Sequence, residues 1–386
     1  MRILFLNTTG GYFGGVEQNI ALAAKGLSDK GHICIFACKK NSSVDQQLFN
    51  SLFESTWELG PTSLVSILTQ TKPEVIYVHK FDDIGSVRSA AKNLPIVRMV
   101  HDHDLYCPRK HKYYFFSHAI CTKKAGFCCY LDLAFLEKGP KGIGFSSIGT
   151  KLKELDQNRK LDTLIVGSNY MKGELLRNGF SDNQTALLPP CVAPFPEPLK
   201  EQPKKNTVLF VGQLIRGKGV DTLIKAFALL KDKLSSSVTL EILGTGNDLG
   251  NLEALVQEEE LSKIVKFIGW ISHDRLVDFY DGASLVVVPS RWPEPFGMVG
   301  VEAMLRQRPV VASNVGGISD WLEDGKTGFL VPSNDPQAFA DKMLILLQDK
   351  ELAQKFGKAG YRKAETLFSF DSYCEKLENI LMGKSI

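Results

Sequence analysis

The sequence predicts an α/β protein made of two doubly wound domains that face each other across a cleft. Short apolar runs typical of buried strands alternate with amphipathic helical patterns along the chain, which indicates parallel sheets joined by crossover helices. The length of 386 residues is too great for one compact core. A proline-rich stretch near the middle separates two sets of strands. In such domains ligands bind at the carboxyl ends of the strands.

Each half of the chain contains enough predicted strands for one doubly wound domain. The strands expected in the first half are 2–7, 32–38, 74–78, 96–100, 162–167 and 185–188. Those expected in the second half are 207–212, 238–243, 264–268, 284–289, 309–312 and 328–331. Helical patterns at 335–348, 350–366 and 369–382 follow the last strand.

The boundary between the domains is predicted from proline content. Residues 188–198 include five prolines, which favour a stiff, extended linker over a core element. We therefore assign residues 1–190 to the first domain and residues 191–368 to the second.

The composition is that of an ordinary globular protein, with 44% hydrophobic and 23% charged residues. A net charge of only +3 indicates no nucleic-acid partner. The N-terminal residues have the pattern of a short strand rather than of a secretory signal, and no apolar run approaches the roughly 20 residues that span a bilayer. We expect a cytoplasmic protein whose eight cysteines are reduced.

The most informative stretch of the sequence contains Glu294 and Glu302, which stand eight positions apart. Pro293 and Pro295 exclude a helix around Glu294 and hold it in an extended loop. The pattern of residues 299–305 then begins a helix. One carboxylate is thus expected in front of a helix N-terminus and the other about one turn inside it. By itself this spacing also suits a proline-rich loop before an ordinary surface helix.

The start of this helix is a predicted anion site. Backbone N–H groups of Gly297, Met298 and Val299 have no partner within a helix that begins here, and such groups bind phosphate. With a carboxylate on either side to accept hydrogen bonds from hydroxyls, the segment suits a ligand that has phosphates in the middle and polyols at both ends. A nucleotide-sugar is such a ligand.

Glycine-rich and basic loops follow other predicted strands. Residues 8–17 form a glycine-rich turn before a helix predicted at 18–28, and their spacing matches neither a dinucleotide fingerprint nor a P-loop. Residues 244–250 are a weak look-alike of that fingerprint. The loop after strand 207–212 contains Arg216 and Lys218, cations that would stabilise a diphosphate leaving group. Residues 315–317, a Gly-Gly turn, are a candidate wall of the same pocket. For the glycine-rich turns at 8–17 and 315–317, an ordinary strand-to-helix turn is the alternative, and for the loop with Arg216 and Lys218 the alternative is a solvated basic loop.

His101 follows the strand at 96–100, so it is predicted at a carboxyl end, where its ring can hydrogen-bond a sugar hydroxyl. Beyond it, Cys107, Cys121, Cys128 and Cys129 leave open a structural zinc site, although their spacings lack a Cys-x2-Cys knuckle.

Residues 101–130 are both basic and aromatic, with five Lys or Arg and seven Tyr or Phe. A loop of this composition can rest on an anionic membrane surface or cover an acceptor. A locally packed lid is the alternative.

Taken together, these segments resemble the retaining nucleotide-sugar glycosyltransferases of family 4, which have the GT-B fold of two Rossmann-like domains. The resemblance spans nearly the whole chain and is most specific between residues 284 and 330. It rests on residues 14–17, 101–102, 212–219, 289–290, 294–302 and 315–317.

The resemblance implies a role for each matched residue. The first domain would bind the acceptor and the second the donor, while the last helix, 369–382, would cross back to the first domain. The catalytic positions would be Glu294 and His101 at the donor sugar, with Arg216 and Lys218 at the diphosphate. The donor-binding positions would be Gly15, Gln213, Phe296, Gly297, Met298, Val299 and Glu302.

Gln213 is a departure from the family pattern, which has Arg at that position. We expect Arg216, from the same loop, to substitute for it. The resemblance implies transfer from a nucleoside-diphosphate sugar, with UDP favoured, to a sugar or lipid-linked sugar acceptor in cell-surface polysaccharide or glycolipid synthesis. It implies no cofactor and no essential metal. A catalytically degenerate nucleotide-sugar-binding protein and a GT-B nucleotide-sugar epimerase are the alternatives.

Overall fold

The computed structural model shows two compact units, each built around its own parallel sheet. It describes residues 1–12, 14–41, 45–114, 119–139, 142–145, 147–192, 195, 197–203, 205–231, 233 and 238–384.

The chain divides close to the proline-rich linker. Unit 1 comprises Met1–Lys112, Cys121–Cys191 and Phe370–Ile386, and unit 2 comprises Tyr113–Ile120 and Val192–Ser369. The passage from one unit to the other thus falls after Cys191, and the C-terminal segment belongs to unit 1. Residues 113–120 differ from the sequence expectation, because they belong to unit 2 although the flanking residues belong to unit 1.

All of the predicted strands are present. In chain order the strands are β1 Arg2–Gly10, β2 Ile33–Asn41, β3 Ser55–Glu58, β4 Val75–Val78, β5 Ile96–Val100, β6 Leu136–Gly139, β7 Gly142–Phe145, β8 Thr163–Val166, β9 Thr185–Leu187, β10 Asn206–Val211, β11 Val238–Leu243, β12 Val265–Gly269, β13 Leu285–Val288, β14 Val310–Ser313 and β15 Gly328–Val331. Three of these were not predicted, namely β3 at a sheet edge and the antiparallel pair β6–β7.

The helices lie between these strands as the alternating pattern predicts. They are α1 Gly15–Asp29, α2 Gln46–Asn50, α3 Leu64–Thr71, α4 Ile84–Ala90, α5 Cys128–Leu131, α6 Ile148–Asn158, α7 Asn169–Arg177, α8 Val220–Ala228, α9 Leu249–Glu258, α10 His273–Gly282, α11 Met298–Leu305, α12 Ile318–Trp321, α13 Pro336–Gln348, α14 Lys350–Leu367 and α15 Phe370–Leu381. None of the described helices combines the length and the apolar character that a membrane span requires.

The strand order defines where each unit can bind a ligand. The sheet of unit 1 has the order β3-β2-β1-β4-β5-β8-β9, and that of unit 2 has the order β12-β11-β10-β13-β14-β15. The chain reverses direction across the sheet between β1 and β4 in unit 1, and between β10 and β13 in unit 2. These are the topological switch points, where loops diverge at the carboxyl ends and leave a crevice.

Helix α15 closes the core of unit 1. It packs on α1, where Asn19 donates a hydrogen bond of 3.2 Å to the buried hydroxyl of Tyr373. Gly26 of α1 lies so close to α15 that a β-carbon there would stand 2.1 Å from the sulfur of Cys374. The two helices therefore pack so closely that only glycine fits at position 26. The C-terminal segment is part of the fold of unit 1.

Candidate functional site

Two loops meet at the switch point of unit 2. One follows β10 and ends in a single 3-10 turn, Arg216–Lys218, and the other follows β13. The amides of Arg291 and Trp292 both donate to the carbonyl of Gly217, over 2.8 and 3.2 Å. Gly219 has a positive φ of 68°, and a β-carbon there would lie 2.0 Å from the carbonyl oxygen of Pro289. Only glycine fits where two backbones approach this closely, so Gly219 is what allows the two loops to come into contact.

Glu294 is the centre of this junction. The residue is only 4% exposed, and three donors converge on one carboxylate oxygen, Oε1. Lys218 donates over 2.7 Å, Trp292 donates through its indole N–H over 2.9 Å, and the hydroxyl of Ser290 makes a short third bond. The other oxygen, Oε2, accepts no hydrogen bond from any described residue. One face of the carboxylate is thus anchored by the protein.

The surroundings of Glu294 keep it ionised. Burial by itself raises the pKa of a carboxyl group, but the adjacent Lys218 ammonium and the hydrogen bonds from Ser290 and Trp292 outweigh it, so the pKa of Glu294 lies below its usual value. Lys218 also lies over the Trp292 ring, 5.1 Å from its centre. The arrangement therefore presents a fixed, charged hydrogen-bond acceptor at neutral pH.

The Gly-Gly turn after β14 holds the backbone of Glu294. The amide of Gly317 donates to the Glu294 carbonyl over 2.8 Å. Gly316 has a φ of 59°, and a β-carbon there would lie 2.1 Å from the same carbonyl oxygen. Residues 315–317, predicted as a pocket wall, thus hold the backbone of Glu294 in place.

Helix α11 begins directly behind this loop, one residue earlier than predicted. Gly297 caps it in the left-handed conformation, with a φ of 92°. The amides of Gly297, Met298 and Val299 donate to no described residue, which is the general state of the first amides of a helix, and the anion site expected there stays a prediction. Trp321 donates over 2.6 Å to the carbonyl of Phe296 and fixes the turn before the helix.

The side chains of Phe296 and Glu302 are both buried. Phe296 packs edge-on against Phe368 in the core of unit 2, so its backbone is the part that remains for a ligand. Glu302, one turn into α11, accepts a hydrogen bond of 2.6 Å from the buried Tyr280 hydroxyl. Burial and the Glu302 carboxylate raise the pKa of Tyr280 well above its usual value, so the phenol stays a donor. Tyr280 thereby orients the carboxylate of Glu302, which was predicted to be a donor-binding position.

Arg216 and Gln213 occupy the surface of the same loop as Lys218. Both side chains are exposed, and neither forms a hydrogen bond or ion pair with a described residue. A β-carbon on Gly244 or Gly246 would lie 1.9 or 2.1 Å from the carbonyls on either side of Gln213. Two of the glycines that resemble a dinucleotide fingerprint, Gly244 and Gly246, are therefore explained by packing against this loop, whereas a β-carbon at Gly250 would meet no atom within 4 Å.

Unit 1 has a polar cluster at its own switch point. Asn7, fully buried in β1, donates over 3.0 Å to Glu17 in the first turn of α1 and accepts from the amide of Lys80 over 3.0 Å. The Lys80 side chain pairs with Asp102 and lies 3.7 Å from Asp104. These contacts join the loops after β1, β4 and β5 into one network.

His101 lies beside this network. Its Nε2 atom is 2.8 Å from Nδ1 of His79, and the two rings stack at 5.1 Å. Burial first, and then the positive charges of Lys80 and Arg98, lower the pKa of His101 to about 3 in spite of Asp104. His101 is therefore a neutral imidazole at physiological pH.

Gly15 lies at the first position of α1, which begins three residues earlier than predicted. A β-carbon at Gly15 would meet no atom within 4 Å. The helix N-terminus is thus open in unit 1, and nothing in this unit requires glycine there.

Several of the described basic and aromatic residues in the stretch 101–130 are buried. Lys112 is 2% exposed and forms a 2.9 Å ion pair with the buried Glu174. Tyr106 and Tyr113 are buried as well. The expectation that these basic residues face a membrane together is wrong for Lys112, because its charge is neutralised inside unit 1.

A group of exposed apolar side chains lies further along the chain, in and around α5 and the β6–β7 pair. Phe127 is 74% and Phe145 79% exposed. Other large apolar side chains exposed in this segment are Tyr130, Leu131, Leu133 and Leu136. We call these six residues the 127–145 surface.

The cysteines considered for zinc do not form a site in the part of the chain that the structure describes. Cys107, Cys121 and Cys129 are buried free thiols, and Cys128 is exposed. No group of three or more metal-ligating side chains is found among the described residues.

Sequence reasoning did not assign a supporting role to the residues that hold the predicted ones in place. Ser290 and Trp292 are neighbours of Glu294 in sequence, and their donor groups were a usable signal. His79 and Lys80 follow β4. The rule that ligands bind at the carboxyl ends of parallel strands, which selected His101 after β5, therefore applied to them as well. Tyr280 gave no signal, because its contact with Glu302 joins two helices.

The C-terminal half of the chain matches a known family. Residues 194–363 match the family model described as Glycosyl transferases group 1. A D-inositol 3-phosphate glycosyltransferase of Streptomyces avermitilis is 34% identical over 172 residues, which are 42% of this chain and 37% of that protein. An uncharacterised glycosyltransferase of Methanocaldococcus jannaschii is 35% identical over 199 residues, 52% of this chain and 53% of that protein. The chain thus spans about a third to a half of these relatives.

Solved structures match over nearly the whole chain. Anabaena HepE, in complex with UDP and glucose, has a TM-score of 0.74 and 21% identity, covering 99% of this chain and all of that one. This chain has the GT-B fold. Within this GT-B protein, unit 2 corresponds to the region that matches the group 1 glycosyl transferases.

Proposed function

We propose that this GT-B protein is a retaining glycosyltransferase that moves a sugar from a nucleoside diphosphate, with UDP favoured, to a hydroxyl of an acceptor. Unit 2 binds the donor and unit 1 the acceptor. The proposal is supported by the match of residues 194–363 to the group 1 glycosyl transferases and by the crystallised complex of HepE with UDP and glucose.

The observation that carries the proposal is the environment of Glu294. A buried carboxylate with three donors on Oε1 and none from described residues on Oε2 suits hydroxyl groups of a bound sugar. The amides of Gly297, Met298 and Val299 then serve the anionic part of the donor. The Glu294 carboxylate can accept hydrogen bonds from sugar hydroxyls, and the amides a few residues later can bind a phosphate. The two groups together therefore match the two ends of a sugar phosphate.

Cations in the adjoining loop support the departure of the nucleoside diphosphate. Lys218 is fixed between Glu294 and Trp292, whereas Arg216 is exposed and unpaired among the described residues. Positive groups placed where negative charge develops lower the barrier for the leaving group. The proposal therefore assigns this task to Arg216 and Lys218 and requires no metal or cofactor.

The acceptor in this proposal is a sugar or a lipid-linked sugar used in cell-surface polysaccharide or glycolipid synthesis. The 127–145 surface supports a lipid-linked acceptor, because Phe127 and Phe145 are exposed and Lys124, which precedes this surface in the sequence, is exposed as well. Aromatic and basic side chains together favour the surface of an anionic membrane. The protein would then act in the cytoplasm at the inner face of the cell membrane.

The experiment that tests the proposal is a donor panel followed by a turnover assay. Thermal shifts are measured with UDP-, GDP- and ADP-sugars, and the donor that stabilises the protein is then incubated with sugar and lipid-linked acceptors. We expect stabilisation by a UDP-sugar and release of UDP with retention of configuration in the product. Donor binding without hydrolysis or transfer would favour the degenerate binding protein, and an epimerised donor would favour the epimerase.

A further inference from the structure

We propose that His79 is a positioning residue that fixes His101 as the Nδ1–H tautomer, so that His101 acts as a hydrogen-bond donor to a substrate oxygen and not as a base. The contact between the two rings carries this inference. It rests on the proposed function only for its last step, the contact with substrate.

The ring of His79 is held on every side. Its amide donates to the Leu6 carbonyl over 2.8 Å, which continues the strand ladder past the end of β4. Phe5 stacks on one face at 6.0 Å and 10°, and Tyr77 lies at 4.4 Å. His79 is only 1% exposed, and in this packing its Nδ1 atom faces His101.

The hydrogen bond between the rings defines which nitrogen of His101 remains for chemistry. Nδ1 of His79 and Nε2 of His101 are 2.8 Å apart, so one of them carries a proton and the other is bare. Either way Nε2 of His101 is engaged by the protein. Nδ1 of His101 has no hydrogen-bond partner among the described residues, and His101 is only partly buried.

The second nitrogen of His79 decides the direction of the bond. Its Nε2 atom is buried and has no hydrogen-bond partner among the residues that the structure describes. If His79 accepted from His101, its own proton would have to sit on Nε2 as a buried N–H without an acceptor. Orphaned buried N–H groups are rarer than under-satisfied buried acceptors. His79 therefore carries its proton on Nδ1 and donates, and the proton of His101 is left on Nδ1.

Both rings stay neutral, as this assignment requires. Burial lowers the pKa of His79 well below its usual value, and the neighbouring His101 and Arg98 act in the same direction. With its proton on Nδ1 and its Nε2 already accepting a bond, His101 has no bare nitrogen to receive a proton from an acceptor hydroxyl. What it offers a substrate is a fixed N–H donor.

The test is nitrogen-15 NMR of the full-length protein labelled at histidine, with signals assigned through His79 and His101 variants. We expect both histidines to be protonated on Nδ1 at neutral pH. In His79→Phe, which retains an aromatic ring, we expect the His101 proton to redistribute towards Nε2. In His79→Asn, whose amide can donate from about the position of Nδ1, we expect His101 to remain protonated on Nδ1.

Activity provides the second readout. We expect His79→Phe to lower kcat/KM roughly tenfold, the scale of one hydrogen bond, and His79→Asn to recover most of it. Melting temperatures are measured for both variants to separate misfolding from positioning. A wild-type His101 protonated on Nε2 would overturn the inference whatever the activity. Absent transfer with the expected NMR pattern would instead count against the proposed function alone.

Discussion

Nζ of Lys218 lies 2.7 Å from Oε1 of Glu294, although 76 positions separate the two residues in the sequence. The two loops that bring them together follow β10 and β13, the strands on either side of the switch point of unit 2. The pair gives Glu294 a permanent counter-ion and gives Lys218 a fixed position. Glu294 therefore depends on Lys218 for its charge, and Lys218 depends on Glu294 for its position, when a nucleotide-sugar binds.

Loss of the Glu294 carboxylate should abolish most of the transfer activity. We expect Glu294→Ala to lower turnover at least about a hundredfold, the scale of one lost transition-state contact. The measurement is UDP release at saturating donor. Glu253→Ala, which removes an exposed carboxylate from α9 of the same unit, is the matched control and should behave as wild type. Near wild-type turnover in a folded Glu294 variant would remove this residue from the site.

Removal of Lys218 should change the pH dependence of activity. The Lys218 ammonium contributes to lowering the pKa of Glu294, so Lys218→Met raises that pKa and a higher pH is needed to ionise the carboxylate. We expect the acid limb of the kcat profile to move to higher pH.

Lys225→Met serves as the control for this shift, because Lys225 is an exposed lysine of α8 in the same unit. Its acid limb should coincide with that of the wild type. An unchanged limb in Lys218→Met would mean that Glu294 does not control the profile.

Arg216 should matter more than Gln213. Both are exposed on the loop after β10, and only Arg216 has a charge with which to stabilise a departing diphosphate. We expect Arg216→Ala to lower turnover by about tenfold or more and Gln213→Ala to have a small effect, at similar melting temperatures. Equal or reversed effects would show that another group holds the diphosphate.

Gly300 should tolerate no side chain. A β-carbon there would stand 1.9 Å from the ring of the buried Trp321, so Gly300→Ala should destabilise the protein by about 1–3 kcal/mol, as overpacking does. The measurement is chemical unfolding. Gly250→Ala in α9 meets no atom within 4 Å and should be neutral or slightly stabilising, since alanine favours helices.

The 127–145 surface should be needed for membrane contact. We expect the wild-type protein to float with anionic liposomes and a Phe127→Ser, Phe145→Ser double variant to remain at the bottom of the gradient. Trp270→Ser, which removes a 73% exposed aromatic ring from unit 2, is the control and should float. If wild type and double variant behave alike, a soluble acceptor becomes the better assignment.

The fold was largely predictable, because buried parallel strands appear as short apolar runs that need no partner to be recognised. The strands missed show the limit of this signal. β3 is a four-residue edge strand with alternating burial, and the β6–β7 pair contains glycine and charged residues. Such segments form strands because they pair with a neighbouring strand, and the pairing partner cannot be identified from the local sequence pattern.

The sequence by itself determined which loops carry the candidate chemistry. Prolines around Glu294 and the glycine at 297 set the local backbone, and the ends of apolar runs marked where loops such as the one with His101 begin. These are short-range effects of φ restriction and burial, which act within a few residues.

Only the tertiary structure decided which side chains share a site and in what state. The ion pair of Lys218 with Glu294, the bond from Tyr280 to Glu302 and the stacking of His79 on His101 each join separate elements. Burial then raised the pKa of Tyr280 and lowered the pKa values of His79 and His101, and it removed Lys112 from the surface on which its charge was expected. Long-range packing sets both the distances between these side chains and the extent to which they are removed from water. Neither quantity can be predicted from the residues that are adjacent in the sequence.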